Sequence, residues 1–479
     1  MPFQILRKSF LLFQVVLALV LLQCAGGETK VSTDPFPYGI ASGEPTPQGF
    51  TIWAKMDSLH VSDSVHWEIA GDSLFSKIDR QGTVFPDKLT NGTVKELVNG
   101  LQPATEYYYR FSVKGKRSMT GRSKTLPNLD AFPDNFNIAF VSCNNYQDGY
   151  FNAFGALSEV DDIDLVVHLG DYIYEYEAGR YADTTLTDRS HEPRHEVLTL
   201  DDYRTRYAQY RSDANLQKVH AKFPFLFIWD DHEFANDAYK SGAKNHSPEE
   251  GDWQKRRSAA EQAYMEWMPL EKSPSQNPPT QISIGKLMEL VLLEERTSSR
   301  SKQVVPCEPE SLSENHTLLG QKQLEILEST IRQNEKPWTV IANQVAFSGY
   351  AKADSLFPPK YQDWWLGYPN DRNRIVKALS EAKNKPIIVT GDHHRSFVMA
   401  IHEELTAQDN CAPSFTESHT EKPLAWEVMI PSITSKNHDA YTDSIVSDYT
   451  RKLVEPAINP HIKYVDLKSH GFTILHFAP

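Results

Sequence analysis

The sequence predicts an α/β layered domain, with central β-sheets flanked by helices, preceded by an antiparallel β-sandwich. Three observations carry this. Before about residue 126, short runs alternate apolar and polar residues between Pro- and Gly-rich turns. From Phe136 onward the runs become continuously apolar, and each ends in side chains able to bind a ligand. Alternation marks strands with one wet face, whereas unbroken apolar runs separated by helical stretches mark strands buried on both faces.

The sandwich runs are Gly49–Ala54, Ser64–Ile69, Thr93–Val98 and Glu106–Val113, and this segment carries no cluster of catalytic residues. Leu101–Tyr107 resembles the loop-into-strand corner of fibronectin type III domains, in which a tyrosine closes the loop. In the second part, Ile138–Val141 leads into Ser142-Cys143-Asn144, Leu165–Leu169 into Gly170-Asp171, and Phe225–Trp229 into Asp230-Asp231-His232-Glu233. Two further runs, Trp338–Ile341 and Ile387–Val389, lead into Asn343-Gln344 and Gly391-Asp392-His393-His394. Ligands of α/β folds collect at the carboxyl ends of strands, so these five ends form one constellation.

Composition narrows the class. Of 479 residues, 40% are hydrophobic and 23% charged, which excludes collagen-like, disordered and polytopic membrane chains. A formal net charge of −14 argues against electrostatic binding to nucleic acid or anionic membranes. Cys24, Cys143, Cys307 and Cys411 are too few and too widely spaced for a disulfide scaffold or a CxxC zinc site. At about 13 residues, the apolar run Phe10–Leu22 behind Arg7-Lys8 is too short to span a bilayer and has the form of a secretory leader, predicted over residues 1–27. Two readings of its end stand: lipidation of Cys24, or plain cleavage near Ala25–Gly27. The expected location is the periplasm or cell surface, with membrane contact only through a lipid on Cys24.

Asp and His suit divalent and trivalent metals, and a strand-end carboxylate can bridge two ions. In Gly170-Asp171-Tyr172-Ile173-Tyr174, Asp171 and Tyr174 leave one short loop and can reach one ion; a tyrosinate favours Fe(III). Each residue alone has a bland reading: Asp230-Asp231 as a helix cap, His394 as a structural histidine, Cys143 as a small buried hydrophobe. Five such ends together do not.

These motifs, with Phe36–Pro45, Leu200–Arg204, Ala263–Pro269, Pro431–Ser435 and Asn459–His461, resemble the PhoD-type alkaline phosphatases of the calcineurin-like metallophosphatase superfamily over nearly the whole mature chain. The resemblance implies an N-terminal domain over 34–126, a catalytic domain over 134–479 and an Fe(3+) and Ca(2+) cluster. It implies Cys143, Asp171, Tyr174, Asp231, Asp392 and His394 as ligands, with Asn343 either a ligand or a donor behind one. His232 is the implied substrate-facing histidine. Leu293-Glu294-Glu295-Arg296 and Ser299-Arg300 depart from the family pattern, leaving Arg296 and Arg257 as candidates for the substrate-side arginine.

The expected reaction is hydrolysis of a small-molecule phosphate ester by in-line attack of metal hydroxide, with His232 stabilising or protonating the leaving group. Phosphodiesterase or phospholipase D-like chemistry on the same cluster is the alternative within enzymes, and a surface binding protein with an inactive core is the alternative outside them. A disulfide between the polar insertions around Cys307 and Cys411 is a further expectation, two free thiols being the other reading.

Overall fold

The computed structural model describes residues 34–479 except 58–59, 88, 277, 307, 351–361, 385, 403–421 and 440. The leader with Cys24, and both Cys307 and Cys411, lie outside the described residues. The strands are β1 (Ile40–Thr46), β2 (Gly49–Lys55), β3 (Val65–Ala70), β4 (Ile78–Val84), β5 (Thr93–Asn99), β6 (Glu106–Val113), β7 (Lys116–Arg117) and β8 (Gly121–Lys124). Then come β9 (Phe136–Val141), α1 (Asn152–Ser158), β10 (Leu165–His168), α2 (Leu200–Arg211), α3 (Ala214–Lys222), β11 (Pro224–Phe227) and α4 (Trp253–Trp267). The remainder is β12 (Thr280–Ile284), β13 (Met288–Leu292), α5 (Gln321–Gln333), β14 (Trp338–Asn343), α6 (Pro369–Ser380), β15 (Ile387–Thr390), β16 (Ser396–Ile401), β17 (Ala425–Met429), α7 (Asp443–Leu453), β18 (Ile462–Asp466) and β19 (Thr473–Phe477).

Two seven-stranded sheets, ordered β19-β9-β10-β11-β1-β2-β5 and β12-β13-β14-β15-β17-β16-β18, pack face to face. Side chains alternate across a strand, so Ile138 and Phe140 point into the inter-sheet core with Leu290, Val340 and Val389, while Ala139 and Val141 point outward. There they meet Phe154, Tyr207 and Leu216 of α1–α3. On the far side α5–α7 cover the second sheet through Leu327, Ile375 and Tyr449. Burial on both faces is why β9, β10 and β11 read as unbroken apolar runs.

The expected division after residue 126 does not separate two sheets. β1, β2 and β5 do pack against a third sheet, β4-β3-β6-β7 with β8 on β6, through Ile52, Val94, Trp67 and Tyr109. Tyr107 Oη accepts a hydrogen bond from Gln102 N at 2.9 Å. But β1 also pairs in parallel with β11, Gly43 opposite Phe225. Only glycine fits there, since a Cβ at Gly43 would lie 2.6 Å from the Pro269 carbonyl oxygen. The seam is sealed by Trp53 Nε1 donating to Glu266 O at 2.9 Å, by Lys55 on the carbonyls of Thr90 and Asn91, and by Lys95 on those of Met265 and Leu270.

Removing residues before 134 strips β1 from β11 and Trp53 from the core. A chain starting there is expected to aggregate or melt without cooperativity, read by size exclusion and circular dichroism. Burial pushes the Lys55 and Lys95 ammoniums down to about 8, against the upward pull of Glu266 on both and of Glu271 and Glu44 on Lys95. The unfolded chain then binds more protons from there up to an ordinary lysine pKa of about 10.4, so these groups make stability rise with pH across that window. Lys95→Met is expected to flatten the rise, measured as melting temperature against pH.

Candidate metal centre

The carboxyl ends of β9, β10, β11 and β15 converge where the two sheets meet. Cys143, Asp171, Asp392 and His394 all have left-handed backbones, with φ of 59°, 58°, 54° and 60°. Such angles are uncommon outside glycine and cluster where a site fixes its side chains. Gly170, at φ +102°, lets the loop pass Asp230: a Cβ would stand 2.4 Å from that residue's own Cβ.

Three overlapping ligand groups result. Donor atoms of Cys143, Asp171 and His394 lie within 4.8 Å of one another, as do those of Asp171, Asp231 and His232 and those of Asp230, Asp231 and Asp392. Asp171 and Asp231 are each shared by two groups, the arrangement a bridging carboxylate requires. Tyr174 Oη joins the first group, donating to Asp171 Oδ2 at 3.0 Å, lying 3.3 Å from His394 Nε2 and accepting from Ser435 Oγ at 2.6 Å. His394 Nδ1 donates to the Lys436 carbonyl at 2.9 Å, which leaves Nε2 as the lone-pair nitrogen. His232 Nδ1 bonds Glu175 Oε2 at 2.7 Å, and its ring stacks on Tyr174 with centroids 4.2 Å apart.

The electrostatics fit bound cations. Asp230 Oδ2 and Asp231 Oδ1 are buried carboxyl oxygens with no hydrogen-bond partner among the described residues. Burial, reinforced by neighbouring acids, pushes Asp171 up to about 6 and raises the Cys143 thiol and the Tyr174 phenol well above their ordinary values. A cation at these atoms reverses that cost and favours the ionised ligands. Burial opposes a charge on His232, yet Asp231, Glu175 and Asp171 together push it well above the usual imidazole range.

Arg296 and Asn343, two of the expected residues, are engaged by protein partners. Arg296 is fully buried: its Nε binds Asp230 Oδ1, Nη1 binds Asp363 at 3.1 Å, and Nη2 lies 3.6 Å from Asp231 and 3.9 Å from Asp392. It positions the acids and is closed to substrate. Arg257 stands half-buried on α4; the neighbouring Arg256 is the one that turns inward, pairing with Glu196 at 2.8 Å. Asn343 is committed elsewhere, its amide nitrogen donating to Val345 O and Thr390 Oγ1 and its oxygen accepting from Trp365. Glu294, at the acidic position of that departing segment, accepts from Trp229 Nε1 at 2.8 Å, and its neighbour Glu295 ties the ends of β13 and β14 by accepting from Gln344 N and Val345 N. Asp230 joins the ligand groups, and Glu175 and Ser435 support His232 and Tyr174, although sequence reasoning singled out none of the three as a site residue.

A family model described as PhoD-like phosphatase matches residues 138–479, and one for its N-terminal domain matches residues 23–127. Alkaline phosphatase D of Bacillus subtilis (strain 168) is 35% identical over 456 residues, 90% of this chain and 74% of that protein. A solved PhoD structure superposes with a TM-score of 0.80 at 33% identity, covering 94% of this chain and 85% of the other. The purple acid phosphatase PPD1 from yellow lupin (Lupinus luteus) seeds shares the fold, with a TM-score of 0.56 at 14% identity over 93% of this chain and 70% of the other. Fold and donor set together define a metal-dependent phosphoric ester hydrolase. Within that class the chain belongs to the PhoD-like phosphatase family.

Arg296→Met is expected to destabilise the protein by about 3–5 kcal/mol, because it leaves Asp230 buried without its cation. Chemical denaturation of the holoenzyme and metal analysis read the effect, and metal content should fall with stability.

Proposed function

We propose that this protein is an exported alkaline phosphatase whose resident ions are Fe(3+) and Ca(2+). The observation that carries it is the graded donor set. Thiol, phenol, carboxylate and imidazole meet at Cys143, Tyr174, Asp171 and His394, a set suited to iron(III), while the all-carboxylate group of Asp230, Asp231 and Asp392 suits a hard cation such as calcium. When bound, such ions lower the pKa of water and neutralise charge on phosphoryl oxygens.

The chain's own residues supply the rest. Glu175 fixes His232 through Nδ1, leaving Nε2 to the cavity that His232 lines, where it donates a proton to the departing ester oxygen. Asp171 and Asp231 hold neighbouring positions in register, and Ser435 orients the Tyr174 hydroxyl. The substrate is a small phosphate ester. Export rests on the leader of residues 1–27, and mass spectrometry of the mature N-terminus distinguishes a lipid on Cys24 from plain cleavage; an intact Met1 on exported protein would contradict both.

The iron assignment is tested by colour. The purified enzyme is expected to contain iron and show a visible charge-transfer band; Tyr174→Phe should shift or abolish the band and lower turnover of an aryl phosphate while the fold survives. Asp171→Asn should do more damage, since it weakens both ion positions at once. A colourless, iron-free enzyme with full activity overturns the assignment.

A further inference from the structure

With Arg296 buried and Arg257 elsewhere, the cation that meets the substrate is left unassigned, and the cavity beside the metal centre supplies one. This cavity, about 140 Å³, is lined by Asp231, His232 and Asp392 of the metal centre together with Trp364, His393 and Arg395. Arg395 lies between His394 and β16, half-buried. Its Nη1 rests 3.4 Å from His393 Nε2, while its buried Nε makes no hydrogen bond among the described residues. The His393 ring is itself braced edge-on against Trp364, with centroids 5.0 Å apart at 80°.

The other arginines near the site are paired with carboxylates, whereas Arg395 meets Tyr350 and His393. Arg256 pairs with Glu196, Arg296 with Asp230 and Asp363, and Arg300 with Asp363. Among the described residues Arg395 pairs with no carboxylate, although Asp231, Asp237 and Asp392 share its cavity. An acidic pocket that must admit a phosphoryl dianion needs positive charge opposite the metals, and a planar guanidinium matches two phosphoryl oxygens at once. We propose that Arg395 is the substrate-side arginine, binding the non-bridging phosphoryl oxygens that face away from the metal centre. This rests on the phosphatase reading.

The test compares the wild-type holoenzyme with Arg395→Ala and Arg395→Lys, using p-nitrophenyl phosphate for turnover and inorganic phosphate for inhibition and calorimetric binding. Arg395→Ala is expected to raise KM and the phosphate inhibition constant together by about tenfold or more, the effect of a lost charge-assisted hydrogen bond. Metal content and melting temperature should not change. Arg395→Lys should fall between the two, and added methylguanidinium should restore part of the Arg395→Ala loss, which a merely structural role would not allow. Unchanged KM and phosphate affinity in Arg395→Ala, or a rise accompanied by loss of metal, overturns the proposal. A wild type that hydrolyses no phosphate ester would instead sink the phosphatase reading. Calorimetry still decides the anion site in that case: phosphate binding lost in Arg395→Ala supports it, and binding that is unaltered or absent from wild type overturns it.

Discussion

Asp171, Asp230, Asp231, Asp392 and Asp363 stand within one small region at the meeting edge of two sheets, and four of these five are buried. Such a concentration of negative charge in a low-dielectric interior is unstable unless compensated. Arg296 supplies the protein's own share of the compensation, reaching four of the acids from a fully buried position. Orphaned oxygens on Asp230 and Asp231 mark the share left for bound cations. The geometry of the centre follows from this division: a fixed guanidinium spreads the carboxylates apart, and the remaining lone pairs face a common space.

The sheets make that arrangement stiff. Because β9, β10, β11, β14 and β15 run in parallel within their sheets, the loops after β9, β10, β11 and β15 that carry the candidate ligands emerge at one edge. Gln344 Nε2 crosses between the sheets to the Trp229 carbonyl at 3.0 Å, holding the end of β14 to the end of β11. The N-terminal strands lengthen the first sheet, so the sandwich braces the catalytic layer as part of the same hydrogen-bonded ladder. Trp53, Trp267 and Tyr207 carry that bracing into α2 and α4.

Much of this was legible along the chain. The apolar runs became strands because burial on both faces leaves no polar alternative, and the residues closing them became candidate ligands because strand ends are where polar side chains escape the core. Cys143, Asp171, Tyr174, Asp231, Asp392 and His394, the set that the resemblance implied, are brought close together in space. Arg257 neighbours the inward-turning Arg256, and the rotation of about 100° between successive helical residues decides which one enters the core. Arg296 looked like a substrate group because sequence shows charge without showing what surrounds it. Asn343 sits at a strand end like the others, yet Trp365 and Thr390 occupy its amide.

By itself the sequence determined the alternation of buried strands, the chemistry of the residues that end them and the kinship these imply, since all are properties of short segments. Only the tertiary structure decided which charges compensate one another. Arg296 meets Asp230 and Asp363 across 66 and 67 positions of sequence, and β1 meets β11, Gly43 opposite Phe225, across a stretch longer than the whole first domain. Those distances are closed by sheet packing, and electrostatic roles depend on separations in space that no spacing along the chain encodes.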